Sequence, residues 1–120
     1  MGMIALDDLK DLRLADGVLA RIVTADSMTV AHVRLAAGSK VSEHRHVHEQ
    51  VVNVISGELE LTVEGRAHRL PAGSVYILAS NVPHAARAVT DCYVIDVFHP
   101  VREDFRQAGF TGYEQAPAGR

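Results

Sequence analysis

The chain has 120 residues, 48% of them hydrophobic and 22% charged, with a formal net charge of -3 at pH 7. This composition predicts one ordinary soluble domain over residues 1–120 that is large enough to bury its own core. The net negative charge argues against a nucleic-acid partner. With no tryptophan and only 5% aromatic residues, the chain also offers no platform for stacked bases.

The first residues, Met1 to Asp8, contain neither a basic region nor an apolar stretch of signal-peptide length. We therefore expect a cytoplasmic protein without a membrane partner. Cys92 is the single cysteine, so no intrachain disulfide can form, and its apolar neighbours indicate a buried strand residue.

Short apolar segments separated by turn residues follow one another along most of the chain. They predict strands over Val18 to Thr24, Met28 to Ala36, Val41 to His46, Gln50 to Ile55, Glu58 to Val63, Arg66 to Leu70, Ser74 to Leu78 and Tyr93 to Phe98. Strands this short and evenly spaced are typical of an all-β jelly-roll barrel. We place the barrel core over about 16–100, an N-terminal segment over 1–15, and a short helix (Val101 to Gln107) with a tail over 101–120.

Two of these strands differ in their patterns. Alternation in Glu58 to Val63 places Leu59, Leu61 and Val63 on a core face and the glutamates in water. The segment Val51 to Ile55 has apolar residues on both faces, which indicates that its outer face is covered too. Either a partner chain or a terminal segment would provide that cover, and we expect a homodimer.

Residue types that bind metals recur at a defined spacing. The ordered set is Gly38, His44, His46, Gln50, Gly57, Pro71, Gly73 and His84. Alternation along a strand puts His44 and His46 on one face, so the two imidazoles converge, and a tight turn would return Gln50 toward the same point. His48 shares the parity of the first two histidines and stays open as a competing ligand.

This ordered set resembles the two metal-binding motifs of the cupin family, in which a His-x-His pair, a carboxylate or amide four residues on, and a later His hold one divalent metal inside a small β-barrel. The resemblance implies that His44, His46, Gln50 and His84 bind one divalent transition metal. Ni, Zn, Mn, Fe and Cu all suit such a site, so the sequence leaves the metal open. Because three imidazoles and an amide are neutral, the metal would keep its full charge and favour a small anionic substrate.

A single carboxylate, Asp96, interrupts the apolar strand that ends near Phe98. Burial would raise its pKa and suit it to proton transfer. The alternative is a buried aspartate satisfied by backbone amides or by Arg102, which follows at the end of the strand.

The order Asp96-x-Phe98-x-Pro100-x-Arg102-x-Asp104-Phe105, together with the metal set, is similar to the KdgF-type cupins, small bacterial proteins of pectin and alginate breakdown. The resemblance implies that Asp96 is the acid/base, Arg102 a carboxylate clamp and Phe98 a pocket wall. It also implies conversion of 4,5-unsaturated uronate monosaccharides to linear keto-uronates. Two other functions stay open: a cupin dioxygenase or other metal enzyme acting on a small organic acid, and a non-catalytic sugar- or metabolite-binding cupin.

Overall fold

A computed structural model describes residues 2–106 and residue 113, and within these residues the chain forms two antiparallel sheets. The strands are β1 (Leu12–Ala15), β2 (Val18–Thr24), β3 (Thr29–Leu35), β4 (Lys40–His44), β5 (Glu49–Ser56), β6 (Glu58–Val63), β7 (Arg66–Pro71), β8 (Val75–Leu78), β9 (His84–Ala88) and β10 (Cys92–His99). The six-stranded sheet has the order β1-β2-β3-β10-β5-β8, and the four-stranded sheet has the order β4-β9-β6-β7. The inner faces of both sheets share one apolar core. The prediction of an all-β jelly roll is confirmed.

Two strands were not predicted from the sequence. Strand β1 pairs with β2 and buries Leu14 and Ala15, so the sheet begins before residue 16, where we placed the start of the barrel core. Strand β9 pairs with both β4 and β6. Its alanines and arginine have weak strand propensity, and pairing with neighbours on both sides overrides that preference.

Strand β6 shows the predicted alternation. Leu59, Leu61 and Val63 are 2%, 2% and 7% exposed, and they point into the core. Glu60 lies on the opposite face, where it forms an ion pair with Arg87 at 3.4 Å.

The glycine between β5 and β6 is required by the turn. Gly57 has a φ of 83°, a region that favours glycine. A Cβ atom at this position would collide with the backbone carbonyl oxygen of Asp91. Gly57 therefore fixes the close approach of two connections and contributes no ligand.

A short helix follows the last strand. Helix α1 (Glu103–Arg106) lies inside the predicted range of Val101 to Gln107. Apart from Tyr113, the predicted tail beyond Arg106 lies outside the described residues. In the part of the chain that the structure describes, no helix has the length and apolar composition needed to cross a membrane.

Candidate metal centre

Three histidines meet at one end of the barrel. His44 is the last residue of β4 and pairs directly with His84, the first residue of β9, while His46 lies in the connection to β5. One ring nitrogen from each of these imidazoles can be chosen so that all three lie within 4.8 Å of one another. His44 and His84 lie on strands that are hydrogen-bonded to each other, so the sheet fixes the position of one relative to the other.

Backbone carbonyl oxygens favour one tautomer of each imidazole. Nδ1 of His44, His46 and His84 lies 2.7 Å, 3.1 Å and 2.9 Å from a backbone carbonyl oxygen two residues away. A carbonyl oxygen only accepts, so Nδ1 carries the proton in His44 and His84 and Nε2 carries the lone pair. His46 has an acceptor oxygen 3.1 Å from each ring nitrogen, and the tautomer that donates from Nδ1 to the carbonyl of His48 leaves Nε2 for a metal. Nε2 of His84 is buried and has no hydrogen-bond partner among the described residues. Three lone pairs are therefore available to a metal ion, each oriented from behind by a carbonyl.

Burial keeps these imidazoles neutral. Burial, and after it the neighbouring His84, lowers the pKa of His44 to about 3. Burial likewise lowers the pKa of His46 to about 4 and lowers that of His84. Neutral imidazole is the form that binds metals, so the cluster is ready to bind at neutral pH without releasing protons.

Gln50 joins this cluster from the other sheet. It is the first inward-facing residue of β5, and it is 7% exposed. Its Oε1 lies 3.1 Å from Nε2 of His46, and in the tautomer of His46 that donates from Nδ1 to the carbonyl of His48 two lone-pair atoms face each other. Exchanging the oxygen and nitrogen of this amide would not remove the contact without cost, because the nitrogen hydrogen-bonds the carboxylate of Asp96. A cation between the oxygen and the imidazole nitrogens resolves this contact, and a divalent metal therefore fits the site.

His48 does not join the cluster. Its Nε2 lies 3.2 Å from the backbone carbonyl oxygen of Val101, and its Nδ1 is buried without a partner among the described residues. The ring packs beside His46, at a centroid distance of 5.4 Å, and faces Phe98. His48 is thus a neighbour of the candidate ligands, and its nitrogens do not converge with theirs.

Asp96 is the buried carboxylate that the sequence singled out. Burial raises its pKa to about 7, although the amide of Gln50 and the charge of Arg102 act in the opposite direction. Its Oδ1 has no hydrogen-bond partner among the described residues. A carboxyl with this pKa and an unsatisfied oxygen can take up or release a proton near neutral pH.

Arg102 is buried and already engaged. Its Nε and Nη2 donate to the two carboxylate oxygens of Asp104 at 3.0 Å and 2.6 Å, and its Nη1 donates to the hydroxyl of Tyr113 at 2.8 Å. Its guanidinium also lies 3.8 Å from the ring centroid of Phe105. Three of the five guanidinium N–H groups are therefore used, and direct contact with a bound carboxylate is confined to the other two.

A cavity of about 60 Å³ lies between the candidate ligands His44, Gln50 and His84 and the carboxyl group of Asp96. Its polar lining comes from His44, Gln50, His84, Asp96 and Tyr113, and the aromatic wall includes Phe98 and Phe105. Tyr113 lines this cavity, whereas Arg102 is not among the described residues that line it. The volume accommodates a few water molecules beside the candidate ligands.

Two residues of the site were not assigned a role from the sequence. Asp104 follows Arg102 by two positions, and this spacing was the available signal for an ion pair. Tyr113 lies in the tail, and no periodicity or motif in the sequence indicates that it packs against His44.

Residues 31–98 match the family model described as the cupin domain. The matched segment includes the candidate ligands His44, His46, Gln50 and His84 as well as Asp96. Together with the jelly-roll fold and the imidazole cluster, this match shows that the chain belongs to the cupin family.

Within that family the chain is similar to KdgF proteins. It is 33% identical to the pectin degradation protein KdgF of Dickeya dadantii over 95 residues, which cover 77% of this chain and 86% of that protein. The solved structure of KdgF from a Halomonas species superposes with a TM-score of 0.80 at 26% identity, covering 87% of this chain and 99% of that one. An RmlC-like cupin from Shewanella frigidimarina superposes with a TM-score of 0.81 at 25% identity, covering 88% and 96%.

Proposed function

We propose that this chain is a metal-dependent enzyme that converts 4,5-unsaturated uronate monosaccharides to linear keto-uronates. The observation that carries the proposal is the bridge through Gln50, whose oxygen faces the imidazoles and whose nitrogen bonds Asp96. This bridge supports a proton-transfer role for Asp96 beside the candidate metal site. The similarity to KdgF proteins supports the same reaction.

The reaction needs charge stabilisation and one group that moves a proton. A divalent metal held by His44, His46, Gln50 and His84 would supply positive charge that polarises a substrate oxygen. Phe98 forms the wall beside His46, at a ring-centroid distance of 5.6 Å. Arg102 adds a buried positive charge that favours an anionic substrate. Because Arg102 is not among the described residues that line the cavity, its proposed role as carboxylate clamp would be exerted through this charge and through Tyr113.

Asp96 would carry the proton through the whole conversion. As a carboxylate it accepts the proton of the anomeric hydroxyl, the bond between the anomeric carbon and the ring oxygen breaks, and an aldehyde and an enolate form. Asp96 then returns the proton to carbon 4 of the enolate, which gives the ketone at carbon 5. The conversion is an isomerisation that consumes no water and no redox equivalent, and a pKa of about 7 suits both transfers.

The direct test uses metal-free protein loaded with one divalent metal at a time. Unsaturated galacturonate and mannuronate are added, and loss of the enol-ether absorbance is followed against the spontaneous rate in buffer. We expect acceleration with at least one metal, and the Asp96→Asn variant loaded with that metal is the matched control. No acceleration with any metal tested would contradict the proposal.

The same samples separate the two other functions. Oxygen uptake in the presence of a small organic acid would indicate a dioxygenase, because an isomerase consumes none. Tight binding of a sugar or metabolite without turnover would indicate a binding protein.

We also propose that a second copy of this chain covers the outer face of the six-stranded sheet. One row of outward residues runs across five adjacent strands of this sheet and is entirely apolar: Val23, Val30, Val97, Val51 and Ile77. At the β5–β8 end, Ile55, Val75 and Ile77 are 50%, 59% and 64% exposed. The strands present a face of roughly 20 by 23 Å, about 460 Å² in projection, so this face would form a small interface compared with the ~800 Å² per partner of a standard one.

The described N-terminal segment contacts this face at its β2–β3 end and leaves Ile55, Val75 and Ile77 exposed. Asp7 and Asp11 pair with Arg21 on β2, and Asp11 also pairs with Arg34 on β3, at the opposite end of the sheet. These pairs also neutralise the arginines of the face, so a second copy meets little repulsion. Ile77→Asp should turn a dimer into a monomer in sedimentation experiments, while Arg66→Asp on β7 should not. A parent protein that stays monomeric at high concentration would contradict the proposal.

A further inference from the structure

The ring of Tyr113 lies against the imidazole of His44. The ring centroids are 4.0 Å apart and the planes differ by 21°, so the two rings are stacked. Tyr113 therefore covers one face of a candidate metal ligand. The backbone carbonyl bound to Nδ1 of His44 fixes one edge of that imidazole, and the stacked ring restricts rotation of its plane.

Tyr113 is itself held by a series of contacts that begins in the core. The backbone N–H of Arg102 donates to Oγ1 of Thr29 at 2.9 Å, and Thr29 is fully buried. Asp104 binds the guanidinium through both carboxylate oxygens, and the guanidinium packs over Phe105. This fixed guanidinium then donates to the hydroxyl of Tyr113 at 2.8 Å. The position of the ring is thus set at its hydroxyl end.

The surroundings of the hydroxyl favour the neutral phenol. Burial raises the pKa of Tyr113 to about 12, although the charge of Arg102 acts in the opposite direction. The residue stays an uncharged aromatic ring with one anchored hydroxyl over the working pH range.

We infer that Tyr113 is a positioning residue of the candidate metal centre: anchored by Arg102, its ring holds the His44 imidazole in the plane that directs Nε2 toward the other candidate ligands. Arg102 and Asp104 act on the site through this tyrosine. Groups that orient metal ligands from behind commonly change metal affinity by about 10–100-fold when they are removed. The inference rests on the proposed metal site and is independent of the uronate reaction.

The test compares Tyr113→Leu, which removes the stacked ring, with Tyr113→Phe, which keeps the ring and removes the hydroxyl. Metal-free protein is titrated with Co²⁺ and with Zn²⁺, and the visible absorption of bound Co²⁺ reports the ligand geometry. Tyr113→Leu should weaken binding by about tenfold or more and alter the Co²⁺ spectrum. Tyr113→Phe should recover the larger part of the affinity.

Tyr93→Leu is the matched control, since Tyr93 lies on the outer face of β10 and contacts His32. It should leave affinity and spectrum unchanged. The inference is overturned if Tyr113→Leu binds Co²⁺ with the parent's affinity and spectrum, or if Tyr93→Leu weakens binding equally. A parent protein that binds neither metal would overturn the metal site, and this inference with it, whereas a failed uronate assay alone would leave the inference standing.

Discussion

The four-stranded and the six-stranded sheet line one cavity with different side chains. The four-stranded sheet brings His44 and His84, whose neutral imidazoles are oriented by backbone carbonyls. The six-stranded sheet brings Asp96, a buried carboxyl with a pKa near 7. Gln50, also on the six-stranded sheet, contacts His46 and Asp96. Two of the candidate metal ligands and the candidate proton-transfer group therefore lie on different sheets, so a substitution at Asp96 should leave metal binding largely intact.

The largest expected effect separates proton transfer from metal binding. Asp96→Asn keeps the shape and most hydrogen bonding of the side chain but removes its proton-transfer capacity. Turnover should fall by roughly 10²–10⁴-fold, the usual contribution of a general acid/base, while metal content stays at the parent's value. Turnover and elemental analysis on the same preparation check both parts. A fully active variant would remove Asp96 from the mechanism.

The second prediction tests the imidazole side. His46→Ala removes one of the converging nitrogens. Its metal affinity should therefore fall by more than the ~10–100-fold that is typical when a group that only hydrogen-bonds to a metal ligand is removed. His48→Ala, two residues away, should keep the metal because its nitrogens point elsewhere. Competition with a chelator measures both affinities. Equal occupancy in the two variants would contradict the ligand assignment.

Parts of the site and of the fold differ in how well the sequence predicts them. The His-x-His spacing is a local signal, although the predicted strand Val41 to His46 was too long: β4 ends at His44, and His46 lies in the connection that follows. The alternation in β6 is equally local. Strand β9, which carries His84, lacks alternation and β-branched residues, and its partners β4 and β6 are distant in sequence. Its existence depends on tertiary pairing, which a local pattern does not record.

The environment of Arg102 could be predicted only in part. The sequence indicates that it lies near the site, but its free donors depend on which residues bind it. Asp104 is two residues away, whereas Tyr113 comes from the tail. No local sequence pattern records the contact between Tyr113 and Arg102, so the engagement of the guanidinium becomes visible only in three dimensions.

The third prediction concerns stability and pH in the metal-free protein. The folded-state pKa of Asp96, about 7, lies above its ordinary value of 3.8, so the folded protein binds this proton more tightly than the unfolded chain. The stability it contributes is fully present below pH 3.8 and is lost as pH rises toward 7. Asparagine does not titrate, so its contribution does not change with pH. The free energy of unfolding of Asp96→Asn, relative to that of the parent, should therefore increase by up to a few kcal/mol between pH 4 and pH 8. Urea unfolding at several pH values measures the difference, and a constant difference would refute the raised pKa.

The smallest expected effect is at Gln50, where the two sides meet. Gln50→Glu adds a negative charge next to the imidazoles, so the variant should keep its metal or bind it more tightly. The lower net positive charge of the site should weaken the binding of an anionic substrate, and we expect KM to rise by about tenfold, or 1.4 kcal/mol. The change also replaces the N–H donor to Asp96 by a carboxylate, and a neighbouring like charge raises a carboxyl pKa. The pH of half-maximal turnover should therefore move upward.

Asn53→Asp is the matched control for this change, because it converts an amide to a carboxylate three residues further along β5, on the outer face of the sheet. It should leave the metal content, KM and the pH profile of the reaction as in the parent. If Gln50→Glu lost its metal, the oxygen of Gln50 would not face a cation as the contact with His46 indicates. If instead the pH profile stayed in place while the metal was retained, the link from Gln50 to Asp96 would be absent in the working enzyme, and the two sheets would act on the substrate independently.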